Sequence, residues 1–341
     1  MRATKIAIFA VFFLLIYWML GQSQPVESFI DLVKLQSVSS HKGGGQYEQV
    51  FDRMLTGRDG KSNLLQRIQK KADEFRIAPE NAVIDRVWKA IPGYNGLEVD
   101  VDKTYKLAME KKLDDPIPYV FKEIPPAINL EDLEPNPIYK GNPKKPMVAI
   151  MINVAWGNEY IPSILKTLRD ENVHATFFLD GSWLSKNKSI AEQIMKEGHE
   201  LSNHAYSHKN MSKLSDAAAE NEILKTEKLL KQLNVQNNLF APPSGDFNQN
   251  TVNLANRLHL KTVLWTIDTV DWKNPSPDWI IRRISSRLEP GSLILMHPTR
   301  SSSAALPAMI KEIKNRGLVL GTVSELLSTK RVPDIVTPRN F

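Results

Sequence analysis

The segment Gly198-His199-Glu200-Leu201-Ser202-Asn203-His204-Ala205-Tyr206-Ser207-His208 places two histidines four residues apart, directly after a strand-like run. This arrangement is a common way to direct two imidazoles at one metal ion. His199 lies inside the run, so we interpret it as a core histidine rather than a ligand. The segment therefore predicts a strand that delivers His204 and His208 to its carboxyl end.

Strand-like runs of this kind recur through the C-terminal part of the chain and alternate with helical patterns such as the apolar stripe of Ile161, Ile164, Leu165 and Leu168. Strands that alternate with helices predict a parallel sheet. The number of runs is enough to close an α/β sheet into a distorted (β/α) barrel. The predicted strands cover 147–152, 173–179, 199–204, 239–241, 261–267, 292–296 and 318–321.

Polar or unusual residues follow five of these predicted strands. Because the carboxyl ends of parallel strands share one rim of a barrel, and such barrels hold their sites there, we expect these residues to meet. They are Asn153-Val154, His204 with His208, Ala241-Pro242-Pro243-Ser244-Gly245, Asp271-Trp272 and His297.

The N-terminus has the pattern of an export signal. Arg2 and Lys5 precede an apolar run over 6–20, and a polar exit follows. The run is short for a transmembrane helix, which needs about 20 apolar residues. We expect residues 1–24 to be a signal peptide or membrane anchor, with an uncleaved anchor and an extracytoplasmic body favoured over a secreted form.

The region between this signal and the predicted barrel divides into two parts. Residues 25–115 are predicted to form a small α+β module, with helical spacing over 63–77 that continues through 78–91, a strand over 96–101 and a helix over 103–112. Residues 116–146 contain eight prolines and are predicted to form an extended connector. The barrel domain then covers 147–328, and 329–341 form a tail.

Composition excludes several classes of site and partner. The 341 residues include no cysteine, which rules out disulfides, thiolate zinc sites and cysteine nucleophiles. The formal net charge of +6 suits an anionic cell wall or membrane surface, with an ordinary solvated surface as the alternative. No aromatic-interleaved basic patch points to nucleic acid. We expect a monomer without a nucleic-acid partner.

From about residue 146 to 325 the chain resembles the polysaccharide deacetylases of the NodB-homology class. The run 148–154 corresponds to a strand that ends in two aspartates in that family, and 198–208 closely matches its metal-binding motif. Residues 240–245 match its Arg-Pro-Pro loop without the arginine, and 265–272 and 293–297 match its last two motifs. With its N-terminal region, the chain looks most like the sporulation-associated, membrane-tethered subgroup of Bacillus-type spore formers.

The resemblance implies a chemistry and assigns residues to it. In that family a divalent metal, most suitably zinc, is held by Asp, His and His and activates a water, an aspartate acts as base, and a histidine protonates the leaving amine. His204 and His208 would be metal ligands, and His297 the acid, oriented by Asp271. Sugar contacts are assigned to four residues, with packing as the alternative for the aromatic ones: Trp156, Tyr206, Pro243 and Trp272.

Three departures fall on the most demanding positions of that chemistry. Asn153 stands at the base position, Val154 at the third ligand position, and Ala241 where the loop arginine would pair with the base. Removing one partner of a buried ion pair costs roughly 3–5 kcal/mol, whereas removing both can be nearly neutral. The resemblance thus implies an impaired deacetylase that keeps a glycan groove for cell-wall glycan and binds metal weakly or not at all. Two alternatives stay open: a working enzyme that uses Glu159 or Asp246 as substitute carboxylate, and a non-enzymatic membrane-tethered scaffold.

Overall fold

The computed structural model describes residues 63–111 and 116–332. The predicted signal or anchor over 1–24 and most of the predicted tail lie outside these ranges. Within them, no helix is both long and apolar enough to cross a membrane.

Short strands and helices alternate along the described chain. The strands are β1 Val83–Asp85, β2 Lys89–Ile91, β3 Gly96–Val99, β4 Phe121–Ile124, β5 Met147–Val154, β6 Thr176–Leu179, β7 Glu200–Asn203, β8 Leu239–Phe240, β9 Lys261–Thr262, β10 Ile267–Asp268, β11 Leu293–Met296 and β12 Val319–Gly321. The helices are α1 (63–74), α2 Val101–Met109, α3 Ile161–Asp170, α4 Gly181–Lys186, α5 Lys188–Lys196, α6 Asp216–Gln232, α7 Gln249–Arg257, α8 Pro277–Ser285, α9 Arg300–Asn315 and α10 Val323–Leu327.

The main sheet is parallel and curled. Its strand order is β10-β11-β5-β6-β7-β8-β9, and β12 pairs with the start of β5. The α/β fold with a parallel sheet is therefore confirmed. The sheet forms a half-barrel rather than a closed one, because β9 and β10 at its two ends do not pair with each other in the described part of the chain.

Strand β5 lies in the interior of this sheet, where it pairs with β6, β11 and β12, and explains the placement of the site. All eight of its residues are buried, as expected for a parallel strand that is covered on both faces. Alternate residues belong to two different clusters: Val148, Ile150, Ile152 and Val154 pack with the surrounding helices, whereas 147, 149 and 151 pack on the inner face of the sheet. By the same alternation, residue 153 faces the inner side.

The predicted helical continuation over 78–91 is wrong, because this segment forms the antiparallel hairpin of β1 and β2. The Asp85 carboxylate closes the turn by accepting hydrogen bonds from the backbone N–H groups of Val87 and Trp88, each at 2.7 Å. Lys89 follows with a φ of 59°, a left-handed conformation that a helix does not contain. The strand predicted over 96–101 and the helix predicted over 103–112 correspond to β3 and α2.

The strand predicted over 261–267 is interrupted by the proline-rich connector. Ile138 lies beside Val263, and its carbonyl accepts a hydrogen bond from the N–H of Leu264 at 2.8 Å. The Oγ1 of Thr266 then donates to the carbonyl of Tyr139 at 2.7 Å. The chain between β9 and β10 thus pairs with the connector, which is why the run divides into two short strands.

Candidate functional site

A cavity of about 350 Å³ opens at the carboxyl ends of the parallel strands. Each of the five segments expected to share this rim contributes at least one residue to its wall. The lining residues are Asn153, Trp156, His208, Ser244, Trp265, Asp268, Trp272, Leu295 and His297.

His204 and His208 lie together at the end of β7. Their ring centroids are 5.3 Å apart and their planes are inclined by 74°. The Nδ1 of His204 lies 2.7 Å from the carbonyl oxygen of Ala241, so Nδ1 carries the proton and Nε2 carries the lone pair. Burial, with a smaller contribution from His208, lowers the pKa of His204 to about 3. This imidazole is therefore neutral, which is the form that binds a metal.

The backbone between the two histidines is fixed by a buried carboxylate. Glu222, on α6, accepts hydrogen bonds from the N–H of Tyr206 at 3.2 Å and from the N–H and Oγ of Ser207 at 2.7 and 2.8 Å. Ala205 and His208 have φ values of 57° and 54°, in the left-handed region that non-glycine residues seldom adopt. Glu222 therefore holds the two-histidine loop in a conformation that it would not favour alone.

Asn153 and Val154 have separate surroundings although they are neighbours on β5. Asn153 lines the cavity, is 3% exposed, and its Oδ1 has no hydrogen-bond partner within the described ranges. Val154 is fully buried in the apolar cluster between the sheet and its helices. The residue that the sequence resemblance assigns to the third ligand position is thus packed in the apolar core.

The donors that are present do not complete a three-ligand metal site. Within residues 63–111 and 116–332, no group of three or more His, Cys, Asp or Glu side chains is placed to hold a metal ion. Both carboxylate oxygens of Asp246 already accept hydrogen bonds, from the N–H and Oγ of Ser212 at 2.8 and 2.9 Å. Glu159 is exposed. Neither of these alternative carboxylates lines the cavity.

His297 has a full set of partners at the end of β11. Its Nδ1 lies 2.8 Å from Oδ1 of Asp271, and its backbone N–H donates to Oδ2 of the same carboxylate at 2.6 Å. Asp271 is fully buried and begins a short 3₁₀ turn that follows Val270, whose φ is 54°. The carboxylate therefore fixes the ring orientation of His297.

Aromatic side chains supply much of the cavity wall. Trp156 and Trp272 are 45% and 54% exposed, which leaves indole surface available to a ligand. Tyr206 and Pro243, also assigned to sugar contact, do not line this cavity. The ring of Tyr206 lies instead beneath Nζ of Lys225, at 5.2 Å from the ring centroid. Pro243 is buried.

Four lining residues carried no individual assignment in the sequence analysis: Ser244, Trp265, Asp268 and Leu295. Asp268 and Trp265 lie within the quoted 265–272 segment, and the end of the predicted strand at 267 was a usable signal for Asp268. Ser244 reaches the wall through a left-handed backbone with a φ of 55°. Periodicity alone does not predict that conformation.

Comparisons with known proteins agree with this geometry. A family model described as polysaccharide deacetylase matches residues 140–263. A peptidoglycan-N-acetylglucosamine deacetylase of Bacillus cereus is 34% identical over 199 residues, which are 57% of this chain and 72% of that protein. The chain belongs to the polysaccharide deacetylase family. The uncharacterised protein YlxY of Bacillus subtilis is 44% identical over 273 residues, which are 80% of this chain and 86% of that protein.

Two solved structures of one relative are similar to this chain. A wild-type CE4 family pseudoenzyme from Bacillus anthracis is 45% identical, with a TM-score of 0.73, and the match covers 79% of this chain and 96% of that one. A mutant of that pseudoenzyme is described as having restored enzymatic activity; it is 43% identical, with a TM-score of 0.73, over 79% of this chain and 99% of the other. The family's fold is thus shared over most of this chain.

Proposed function

We propose that this protein binds amino-sugar glycan of the cell envelope, of the peptidoglycan or chitin type, and deacetylates it very slowly or not at all. The observation that carries the proposal is that two neighbouring residues at the end of β5 lie in different surroundings. Val154 is buried in the helix-facing core, and Asn153 alone faces the cavity. An amide is not a useful general base, and two imidazoles bind zinc weakly beside a three-ligand catalytic site.

Two features of the cavity support the proposal that it still binds glycan. The cavity wall still carries three tryptophans, and apolar aromatic faces are suited to the flat faces of sugar rings. The pair of His297 and Asp271 remains hydrogen-bonded at 2.8 Å. Two of the similar proteins support the two halves of the proposal: the Bacillus cereus relative is a peptidoglycan deacetylase, and the Bacillus anthracis structure is a pseudoenzyme.

The site of action is proposed from the N-terminal sequence. The positive start and apolar run over 1–24 favour a membrane anchor with the body on the extracytoplasmic side, with secretion as the alternative. The likeness to the sporulation-associated subgroup supports a role in the envelope of a sporulating cell, with the protein acting as a monomer.

The proposal is tested by mixing the purified full-length chain with isolated cell wall and following sedimentation and acetate together. We expect the chain to sediment with the wall and to release little or no acetate. A chain that stays in the supernatant lacks the glycan contact, and the scaffold alternative then takes precedence. Sedimentation that depends on residues 25–145 rather than on the barrel domain would also favour the scaffold.

A further inference from the structure

Asp268 is the one carboxylate that the described residues contribute to the cavity wall. Asp268 lies at the end of β10, and its Oδ1 accepts a hydrogen bond from the N–H of Val270 at 2.7 Å. Within residues 63–111 and 116–332 its carboxylate forms no ion pair. Arg283 is close by, but its Nε donates to the backbone carbonyl of Asp268 at 2.6 Å rather than to the carboxylate.

Cationic side chains are missing from the cavity wall. Among the described residues that line it, there is no lysine or arginine. Ala241 stands where the family has its loop arginine, and Val154 removes the third donor of the metal site. The ammonium of Lys273 lies over the ring of Trp272, 4.8 Å from the ring centroid. The described residues of the wall therefore include an acidic side chain, that of Asp268, and no lysine or arginine to balance it.

This combination of groups selects a cation. A protonated amine gains from a carboxylate through a charge-assisted hydrogen bond and from indole faces through cation–π attraction. Trp265 and Trp272 line the cavity with Asp268, and Asn153 adds an amide without a partner for Oδ1 in the described part of the chain. An N-acetyl group carries no charge and would leave Asp268 without a counter-charge.

We infer that this cavity recognises an amino sugar whose nitrogen is unacetylated and protonated, as in the glucosamine units of a partly deacetylated glycan. The inference rests on the proposed glycan-binding function and names the class of its ligand. The chain as a whole has a net charge of +6, so long-range attraction does not favour a cationic ligand. A measured preference for a cationic ligand would therefore come from the residues of the cavity rather than from the overall charge of the chain.

The test is calorimetric titration of the full-length chain with two oligosaccharides of equal length, one of glucosamine and one of N-acetylglucosamine, in near-neutral buffer. We expect the glucosamine oligomer to bind at least about tenfold more tightly. Asp268→Asn keeps an acceptor for the Val270 N–H and removes the charge, so the preference should fall to within about twofold. Asp278→Asn, in the exposed first turn of α8, is the matched control and should keep the preference.

The outcomes separate this inference from the proposal on which it rests. Equal or tighter binding of the N-acetylglucosamine oligomer to the unmodified chain overturns the inference and leaves glycan binding in place, without recourse to any variant. A preference that survives Asp268→Asn also overturns it. Failure of both oligomers to bind removes the proposed function as well.

Discussion

The indole of Trp156 stacks on the imidazole of His297, with ring centroids 5.4 Å apart and an angle of 13° between the planes. The contact joins the segment after β5 to the end of β11, two parallel strands that pair directly. Asp271 fixes the imidazole through its Nδ1 atom. The stack therefore places a partly exposed aromatic surface over His297, the residue that the sequence resemblance assigns as the acid.

Replacement of Trp156 should weaken glycan binding without unfolding the protein. The side chain is 45% exposed, so Trp156→Ala loses little core packing, whereas it removes one aromatic wall of the cavity. We expect roughly tenfold weaker binding of an amino-sugar oligomer, equivalent to about 1.4 kcal/mol. Calorimetric titration measures the loss. Trp279→Ala is the matched control, because Trp279 is 39% exposed on α8 and does not line the cavity; an equal loss in both variants would refute the assignment.

A carboxylate at position 154 should make stability depend on zinc. Val154→Asp places a charge in a fully apolar cluster, and an unpaired buried charge costs about 3 kcal/mol or more. Zinc would recover part of this loss once the introduced carboxylate turns out of this cluster towards the two imidazoles, about 2.7 kcal/mol at a concentration roughly a hundredfold above its Kd. Urea unfolding with and without zinc measures both effects. The double variant with His204→Ala should show the loss and no recovery, and recovery there would mean that zinc binds elsewhere.

Activity should return only when the base, the ligand and the arginine are restored together. The triple variant Asn153→Asp, Val154→Asp and Ala241→Arg supplies the three residues that the resemblance assigns to the base, the third metal ligand and the loop arginine, and His297 with Asp271 is already hydrogen-bonded. We expect zinc-dependent acetate release from N-acetylglucosamine oligomers, well above that of the unmodified chain. Asn153→Asp alone should be inactive and less stable, because its charge lacks the arginine. A stable, zinc-loaded triple variant without acetate release would show that the groove has diverged as well.

Loss of Glu222 should destabilise the two-histidine loop. This carboxylate is 5% exposed and accepts three hydrogen bonds from Tyr206 and Ser207. Glu222→Ala leaves those donors without a partner, at a cost of about 2–4 kcal/mol in the free energy of unfolding. Denaturant unfolding provides the measurement, with Glu220→Ala on the exposed face of α6 as control. Equal stability of the two variants would mean that water replaces the carboxylate without cost.

The buried histidine just before β7 should make stability fall in acid. Burial lowers the pKa of His199 from 6.5 to about 4, so between these values the unfolded chain binds a proton that the folded chain does not. The contribution is present above pH 6.5 and is lost as the pH falls towards about 4, with an upper limit of about 3 kcal/mol. Denaturant unfolding across this window should give a smaller slope for His199→Gln than for the unmodified chain. His259→Asn, at an exposed left-handed position, should leave the slope unchanged.

Local sequence patterns predicted the buried strand β5 and the pair of histidines after β7 well, but not the hairpin at 83–91 or the break after β9. The run at 147–152 predicted β5, because a strand covered on both faces must be apolar throughout. The spacing of His204 and His208 predicted two rings that do meet, 5.3 Å apart. In contrast, the hairpin at 83–91 depends on the Asp85 turn, and the break after β9 depends on Ile138 from a distant segment. Asp268 and Trp265 reach the cavity for similar reasons, since loop conformation and tertiary pairing decide which side chains face it.

Asn153 lines the cavity whereas Val154 is buried in the core. Acetate release tests most directly whether this arrangement leaves the site without a base and a third metal ligand. The purified full-length chain is titrated with zinc and other divalent metals in the presence of N-acetylglucosamine oligomers and peptidoglycan, and free acetate is measured at each step. We expect acetate at or near the level of the metal-only blank at every metal concentration. Robust acetate release that rises with metal and saturates would contradict it, because some other carboxylate would then be completing the metal site.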